Sequence, residues 1–196
     1  MVTRLIFASK NAGKLKEIQG IFRNSNVVIS SLLDYPDCPD IIEDGNSFEA
    51  NAIIKAKFVF DRYGGPVIAD DSGISMDQLN KAPGIHSARY AGKRSTDLDN
   101  NLKLQNELRQ FPKPHTGGYV CCAVYYDGIE HIVSFGELRG EIIEEPRGTN
   151  GFGYDPYFVP DGYTQTMSEL GLEEKNKISH RGKAFRDLQK ELFTRG

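Results

Sequence analysis

Tryptophan is absent from the 196-residue chain, and cysteine is scarce: Cys38, Cys121 and Cys122 are the only three. An odd number, with two side by side and no CxxC spacing, excludes a disulfide-stapled scaffold and a thiolate metal site. Reduced thiols in a cytoplasmic protein are the expectation. Long apolar runs are missing too. None approaches the ~20 residues a helix needs to cross a bilayer, and the apolar core of "MVTRLIFASK" is too short for a secretion signal. No GxxxxGK[ST] loop is present. The net charge is −3 and the basic blocks are short, which argues against nucleic acid as the partner. Repeats, low-complexity stretches and linkers are absent as well.

What is present reads as one domain over residues 1–196, with 39% hydrophobic and 26% charged residues. Charge is segregated along it. Residues 34–49 carry Asp34, Asp37, Asp40, Glu43, Asp44 and Glu49 without a Lys or Arg, whereas 175–186 carry Lys175, Lys177, Arg181, Lys183 and Arg186 without an acid. Such blocks suit a metal and an anion held together, and equally suit two solvated faces.

The pattern is mixed α/β. "RLIFAS" reads as a strand, followed by a helix with Leu15, Ile18, Ile21 and Phe22 on one stripe. "SFEANAIIKAKFVFDRY" is a second helix capped by Ser47, and "STDLDNNLKLQNELRQF" a third capped by Ser95 or Thr96. "PVIA" is a short buried strand before Asp70-Asp71, "GISMDQL" another after it, and "NKAPGIHSARYAG" a loop. β-Formers flank an Asp127-Gly128 turn, and the chain closes with a helix capped by Ser179.

Five features carry chemistry. "SKNAGK" joins the first strand to the first helix, whose unpaired N–H groups favour an anion, with Lys10 and Lys14 adding charge; an ordinary capped helix fits as well. Asp70 and Asp71 are adjacent, and like charges that close do not both ionise cheaply, so a metal, a cation or water should offset them. Ser47, Asn51 and Lys55 lie four apart on one helix stripe, so a half-buried Lys55 wants an anionic partner. His180 and Arg181 fall in the first turn of the last helix, against its dipole, a conflict an incoming anion or carbonyl would remove. The loop "RGTNGFGYDPYF" places Phe152 and Tyr154 among glycines, able either to stack a ring on a base or to anchor a turn. Glu43, Asp70 and Asp71 supply the hard oxygens that suit Mg²⁺.

Taken in order, "SKNAGK", "EDGNSFEANAIIKA", "ADDSG", "APGIHSARYAG", "GFGYDPYF" and "EEKNKISHRGKA" closely resemble the non-canonical purine nucleoside triphosphate pyrophosphatases, the ITPase-type or dITP/XTP diphosphatases. The resemblance covers nearly the whole chain. It implies an elongated α/β fold, a mixed sheet with flanking helices in two lobes around a central active-site cleft, usually as a homodimer. It implies Mg²⁺-dependent hydrolysis of ITP, dITP and XTP to the monophosphate and pyrophosphate. By motif position, Ser9, Lys10, Asn11, Ala12, Gly13 and Lys14 would bind the triphosphate, with Lys55 on a phosphate and Ser72 lining the site. Glu43 and Asp71 would hold the metal, and Asp71 would be the general base. Phe152, Gly153, Tyr154 and Asp155 would wall the nucleoside, with Lys175, His180 and Arg181 around the base.

Of the two adjacent acids, Asp70 reads more readily as structural, accepting backbone N–H bonds. Donors from Lys175, His180 or Arg181 aimed at O6 would face the amino group of adenine donor to donor and so reject it. Two other readings remain: a Maf-type nucleotide pyrophosphatase with a different substrate profile, and a nucleotide-binding module without turnover.

Overall fold

The computed structural model describes residues 3–194. Its elements in chain order are β1 (Thr3–Phe7), α1 (Ala12–Ile21), β2 (Val27–Ser31), α2 (Phe48–Tyr63), β3 (Val67–Met76), α3 (Asp97–Leu108), β4 (His115–Tyr126), β5 (His131–Ile142), β6 (Phe158–Pro160), α4 (Leu172–Ile178) and α5 (His180–Thr194). Short 3₁₀ turns cover Leu32–Asp34 and Gly84–Arg89. The strands form one mixed sheet in the order β2-β1-β3-β4-β5-β6. β1 is parallel to both β2 and β3, and β5 is antiparallel to β6.

Local chemistry explains the helix starts. The Asn11 side chain accepts from Lys14 N–H, Ser47 from Ala50 N–H, and Thr96 from Asp99 N–H with the Asp99 carboxylate returning the bond. Thr96, not Ser95, is therefore the cap of α3. Ser179, expected as a helix cap, is the single extended residue that separates α4 from α5. The two strands expected around the Asp pair are one continuous strand, β3, with both aspartates inside it. β2, β6 and α4 were not foreseen: β2 is half-exposed, and the other two are short.

The chain divides into two compact units. The first comprises residues numbered within 1–71, 121–136 and 181–196, the second 72–120 and 137–180. In the first unit the sheet is covered on both faces, and strand alternation decides which helix each residue meets. Leu5, Phe7, Ile68, Cys121 and Ala123 pack with Ile18 of α1, with Phe22 just after it and with Ala184, Phe185 and Leu188 of α5. Ala8, Val67, Ala69, Cys122 and Val124 pack with Ala52, Ala56 and Val59 of α2. All three thiols are buried and free, and burial, with nearby carboxylates, pushes Cys122 up to about 12.

The second unit has its own core, with Leu104 and Leu108 of α3 against Ile74, Met76, Tyr119, Leu138, Ile142, Phe158 and Met167. Gly140 of β5 is opposite Pro160 of β6, and a Cβ there would lie 2.2 Å from the Val159 carbonyl oxygen. Gly140→Ala is expected to cost about 1–3 kcal/mol through this overlap. A denaturant melt checks it, and an unchanged midpoint would mean that β6 yields freely.

Among the described residues, no helix is long and apolar enough to cross a membrane.

Candidate functional site

The order β2-β1-β3 makes β1 the point where the chain's progress across the sheet reverses, and in open α/β sheets ligands gather beyond the strand ends there. Ile6 pairs with Val67 and Phe7 with Ile68, and Ala8 N–H donates to the Ile68 carbonyl at 2.8 Å. β3 continues past that last pairing, which brings Asp70 within reach of Lys14 at the start of α1.

Alternation along β3 then separates the two aspartates. Asp70 shares a face with Ile68, towards α1 and α5; Asp71 shares a face with Val67 and Ala69, towards α2. Adjacent in sequence, they make their closest contacts with different partners, while the charges of Lys14 and Lys55 act on both.

On the first face, the Lys14 ammonium donates to both Asp70 oxygens at 3.1 and 2.9 Å, and the Arg181 Nε donates to Asp70 Oδ2 at 3.1 Å. The same guanidinium donates to Glu17 Oε2 at 2.5 Å. Asp70, Glu17 and Arg181 are all buried, Arg181 to 2% exposure. Burial alone would raise the Asp70 carboxyl, but the charges of Lys14, Arg181 and Lys55 outweigh it and hold it well below the usual carboxylate range. The Lys14 and Arg181 side chains thus hold the Asp70 carboxylate. The Arg181 charge, opposed to the α5 dipole, is compensated by two buried carboxylates.

On the second face, the Asn51 amide donates to Asp71 Oδ2 at 3.0 Å. The Lys55 ammonium lies 2.9 Å from Glu43 Oε2 and 3.6 Å from Asp71 Oδ1. Burial pushes the Asp71 carboxyl above its ordinary value, and Lys55, Lys14 and the Asn51 bond offset this only in part. Lys55 shows the converse: burial opposes its charge, but Asp71, Asp70 and Glu43 outweigh burial and raise it. Asp71 and Glu43 therefore converge on one cation. No group of three or more His, Cys, Asp or Glu side chains among the described residues has a metal-site arrangement. The protein's own contribution to a cation here is two carboxylates.

The loop leading into α1 is largely open. Ser9 is half-buried and its hydroxyl accepts from Asn11 N–H at 3.1 Å; Lys10 is exposed and pairs with Asp40 at 3.1 Å. Ala12 and Gly13 are the first two residues of α1, and no acidic residue stands in its first turn. An anion would therefore find backbone N–H groups and no repelling charge from the helix's own first turn.

The second unit holds the remaining residues. Asp155 is a buried hub: its Oδ2 accepts from Phe152 N–H at 2.9 Å and from the Lys175 ammonium at 2.5 Å, and its Oδ1 from Tyr119 Oη at 3.3 Å. The Lys175 ammonium also stands 4.9 Å from the centre of the half-buried Phe152 ring. The His180 imidazole is stacked on Tyr119, centroids 4.6 Å apart and planes 10° from parallel. Tyr154 is buried and its hydroxyl donates to the Ser87 carbonyl at 2.8 Å, which makes it the anchor of the loop, with Phe152 the more accessible ring. Ser72 is half-buried on β3.

Phe152, Asp155, Lys175 and His180 thus belong to one constellation, whereas Arg181, grouped with Lys175 and His180 from the sequence, has its guanidinium on Asp70 and Glu17 in the first unit. Glu17 escaped the sequence reading. Its signal was an acid three residues after Lys14 on a helix with an apolar stripe. Asp97 and Asn101 also escaped, and their contacts with Gly153 are taken up below.

The Ham1 family model matches residues 5–191. A relative from Streptomyces avermitilis named dITP/XTP pyrophosphatase is 45% identical over 192 residues, covering 95% of this chain and 96% of the relative. One of the same name from Geobacter sulfurreducens is 44% identical and covers 100% and 99%. Among solved structures, a HAM1 protein from Coxiella burnetii superimposes with a TM-score of 0.88 at 37% identity, over 98% of this chain and 99% of that one. The Staphylococcus aureus Ham1 protein gives 0.86 at 37% identity, over 99% and 100%.

Proposed function

The chain belongs to the Ham1 family, and from that footing we propose how its residues carry the activity. It is a nucleoside triphosphate pyrophosphatase that hydrolyses the non-canonical purine nucleotides dITP, ITP and XTP to monophosphate and pyrophosphate. The observation that carries the residue assignment is the division of labour at the Asp pair: Asp70 is closed off by Lys14 and Arg181, while Asp71 and Glu43 share a cation.

Phosphates are bound by the N–H groups of Ala12 and Gly13, with Ser9, Asn11, Lys10 and Lys14 around them. Lys55 is the cation that meets charge near Asp71. Two converging carboxylates with hard oxygens fit Mg²⁺, a metal that takes one or two protein carboxylates and completes its shell with phosphates and water. Bound at Glu43 and Asp71, it would neutralise charge on the departing pyrophosphate. Asp71 orients and deprotonates the water that attacks the α-phosphorus, a role for which a carboxyl raised by burial is better suited than one held low. Asn51 holds that carboxylate in place through its 3.0 Å bond. Asp70 stays ionised and positions Lys14.

The base is taken by the second unit's residues: Phe152 offers a ring face, and Lys175 and His180 donate to O6. Adenine, with an amino group there, meets donor against donor. Arg181 supports Asp70 and leaves base reading to the other two. A homodimer and a cytoplasmic location belong to the same reading.

The test supplies Mg²⁺ with dITP, XTP, GTP and ATP separately and assays pyrophosphate against orthophosphate. Pyrophosphate from dITP and XTP with little from ATP is expected. Orthophosphate, turnover of pyrimidine nucleotides instead, or binding without turnover would overturn it.

A further inference from the structure

The Phe152 loop is held from a second side by residues that none of the motifs above contain. Gly153 N–H donates to Asp97 Oδ2 at 2.7 Å, and the Asn101 side-chain amide donates to the Gly153 carbonyl at 2.9 Å. Both residues come from the first turns of α3, four apart and so on one stripe. Asn101 is buried, and its amide also donates to the Asp97 carbonyl at 2.8 Å, so the pair is tied together before it meets the loop.

Gly153 has φ +64°, and the space where its Cβ would stand has no atom within 4 Å. No steric wall fixes this peptide. Glycine has many backbone conformations open to it, so what selects one here is hydrogen bonding at both ends of the residue. The preceding residue is Phe152, whose N–H is fixed by Asp155. Its ring direction therefore depends on Asp155 on one side and on the α3 pair on the other.

We infer that Asp97 and Asn101 are positioning residues for nucleobase recognition: a clamp on Gly153 that orients the Phe152 ring towards an incoming purine. This rests on Phe152 stacking the base, as proposed above. The effect is confined to substrate binding, because neither residue touches the groups assigned to the phosphates.

Asp97→Ala, Asp97→Asn and Asn101→Ala are compared with the wild-type full chain for pyrophosphate release from dITP, XTP and dATP, alongside thermal melts. Losing one charge-assisted bond at a glycine is expected to raise KM for dITP roughly ten-fold, with kcat within two-fold and the dITP-over-dATP preference lowered. Asn at 97 keeps an acceptor for Gly153 N–H, so Asp97→Asn should restore KM to near the wild-type value. Because the chain lacks tryptophan, Phe152→Trp provides a single tryptophan that can be excited apart from the tyrosines; its quenching by dITP should weaken when Asp97→Ala is added. An unchanged KM and preference in both alanine variants, whether or not the melting temperature falls, would overturn the clamp. A wild-type chain that does not turn over dITP or XTP would overturn the functional reading instead.

Discussion

Asp71→Asn is expected to lower pyrophosphate release from dITP by about 10²–10⁴-fold, the usual contribution of a positioned general base, while leaving the fold intact. The substitution keeps the shape of the side chain and an oxygen that accepts from the Asn51 amide. It removes the charge that orients water and draws a cation with Glu43. Lys55 loses one anionic neighbour but keeps Glu43 at 2.9 Å.

The stability sign follows from the raised carboxyl. A carboxyl raised on folding contributes stability that is fully present below its unfolded value of about 3.9 and is lost as pH rises through the folded value. At neutral pH the ionised Asp71 is therefore a cost to the folded chain, and the amide has no such cost. Melts at pH 7 should place the variant at or above the wild type, and the two should converge towards pH 4. A variant that melts well below the wild type at pH 7 would mean that its lost turnover reports on folding.

The sequence made the helices legible because their caps and stripes are local: Asn11, Ser47 and Thr96 each close a bond within three residues. The turn between β1 and α1, proposed above to bind phosphates, is legible for the same reason. What it concealed depends on sheet alternation and on distant partners. A strand taken to end before Asp70 leaves the two like charges of "ADDSG" in one place. A strand that continues sends the two carboxylates to different helices. Arg181 and His180 are neighbours in sequence, yet Glu17 and Asp70, which accept from the Arg181 guanidinium, lie 164 and 111 residues away from it. Tyr154 and Phe152 are alike in a sequence; only the Ser87 carbonyl distinguishes the anchored ring from the more open one.

The triad around Arg181 gives the largest stability effect. Glu17, Asp70 and Arg181 are buried together, and truncating the one member that both carboxylates share leaves two buried charges short of a partner. Arg181→Ala is expected to cost about 3–5 kcal/mol, the range for breaking a buried ion pair from one side. Lys14 continues to serve Asp70 at 2.9 Å, while Glu17 loses the 2.5 Å hydrogen bond it makes with the guanidinium.

The pH dependence distinguishes this from lost packing. In the wild type the Asp70 carboxyl is depressed, so its contribution is present above the unfolded value of about 3.9 and is lost as pH falls towards the folded one. In the variant, burial acts on Asp70 with one cation fewer, so its carboxyl is held less far below the usual range and loses less as pH falls. The deficit of Arg181→Ala should therefore be greatest at neutral pH and shrink on acidification, while wild-type stability declines over the same direction. Urea melts at pH 7 and pH 3 measure both slopes, because the loss begins as pH falls through about 3.9. A deficit of equal size at the two pH values would assign the loss to the missing side-chain volume, because a cavity does not titrate.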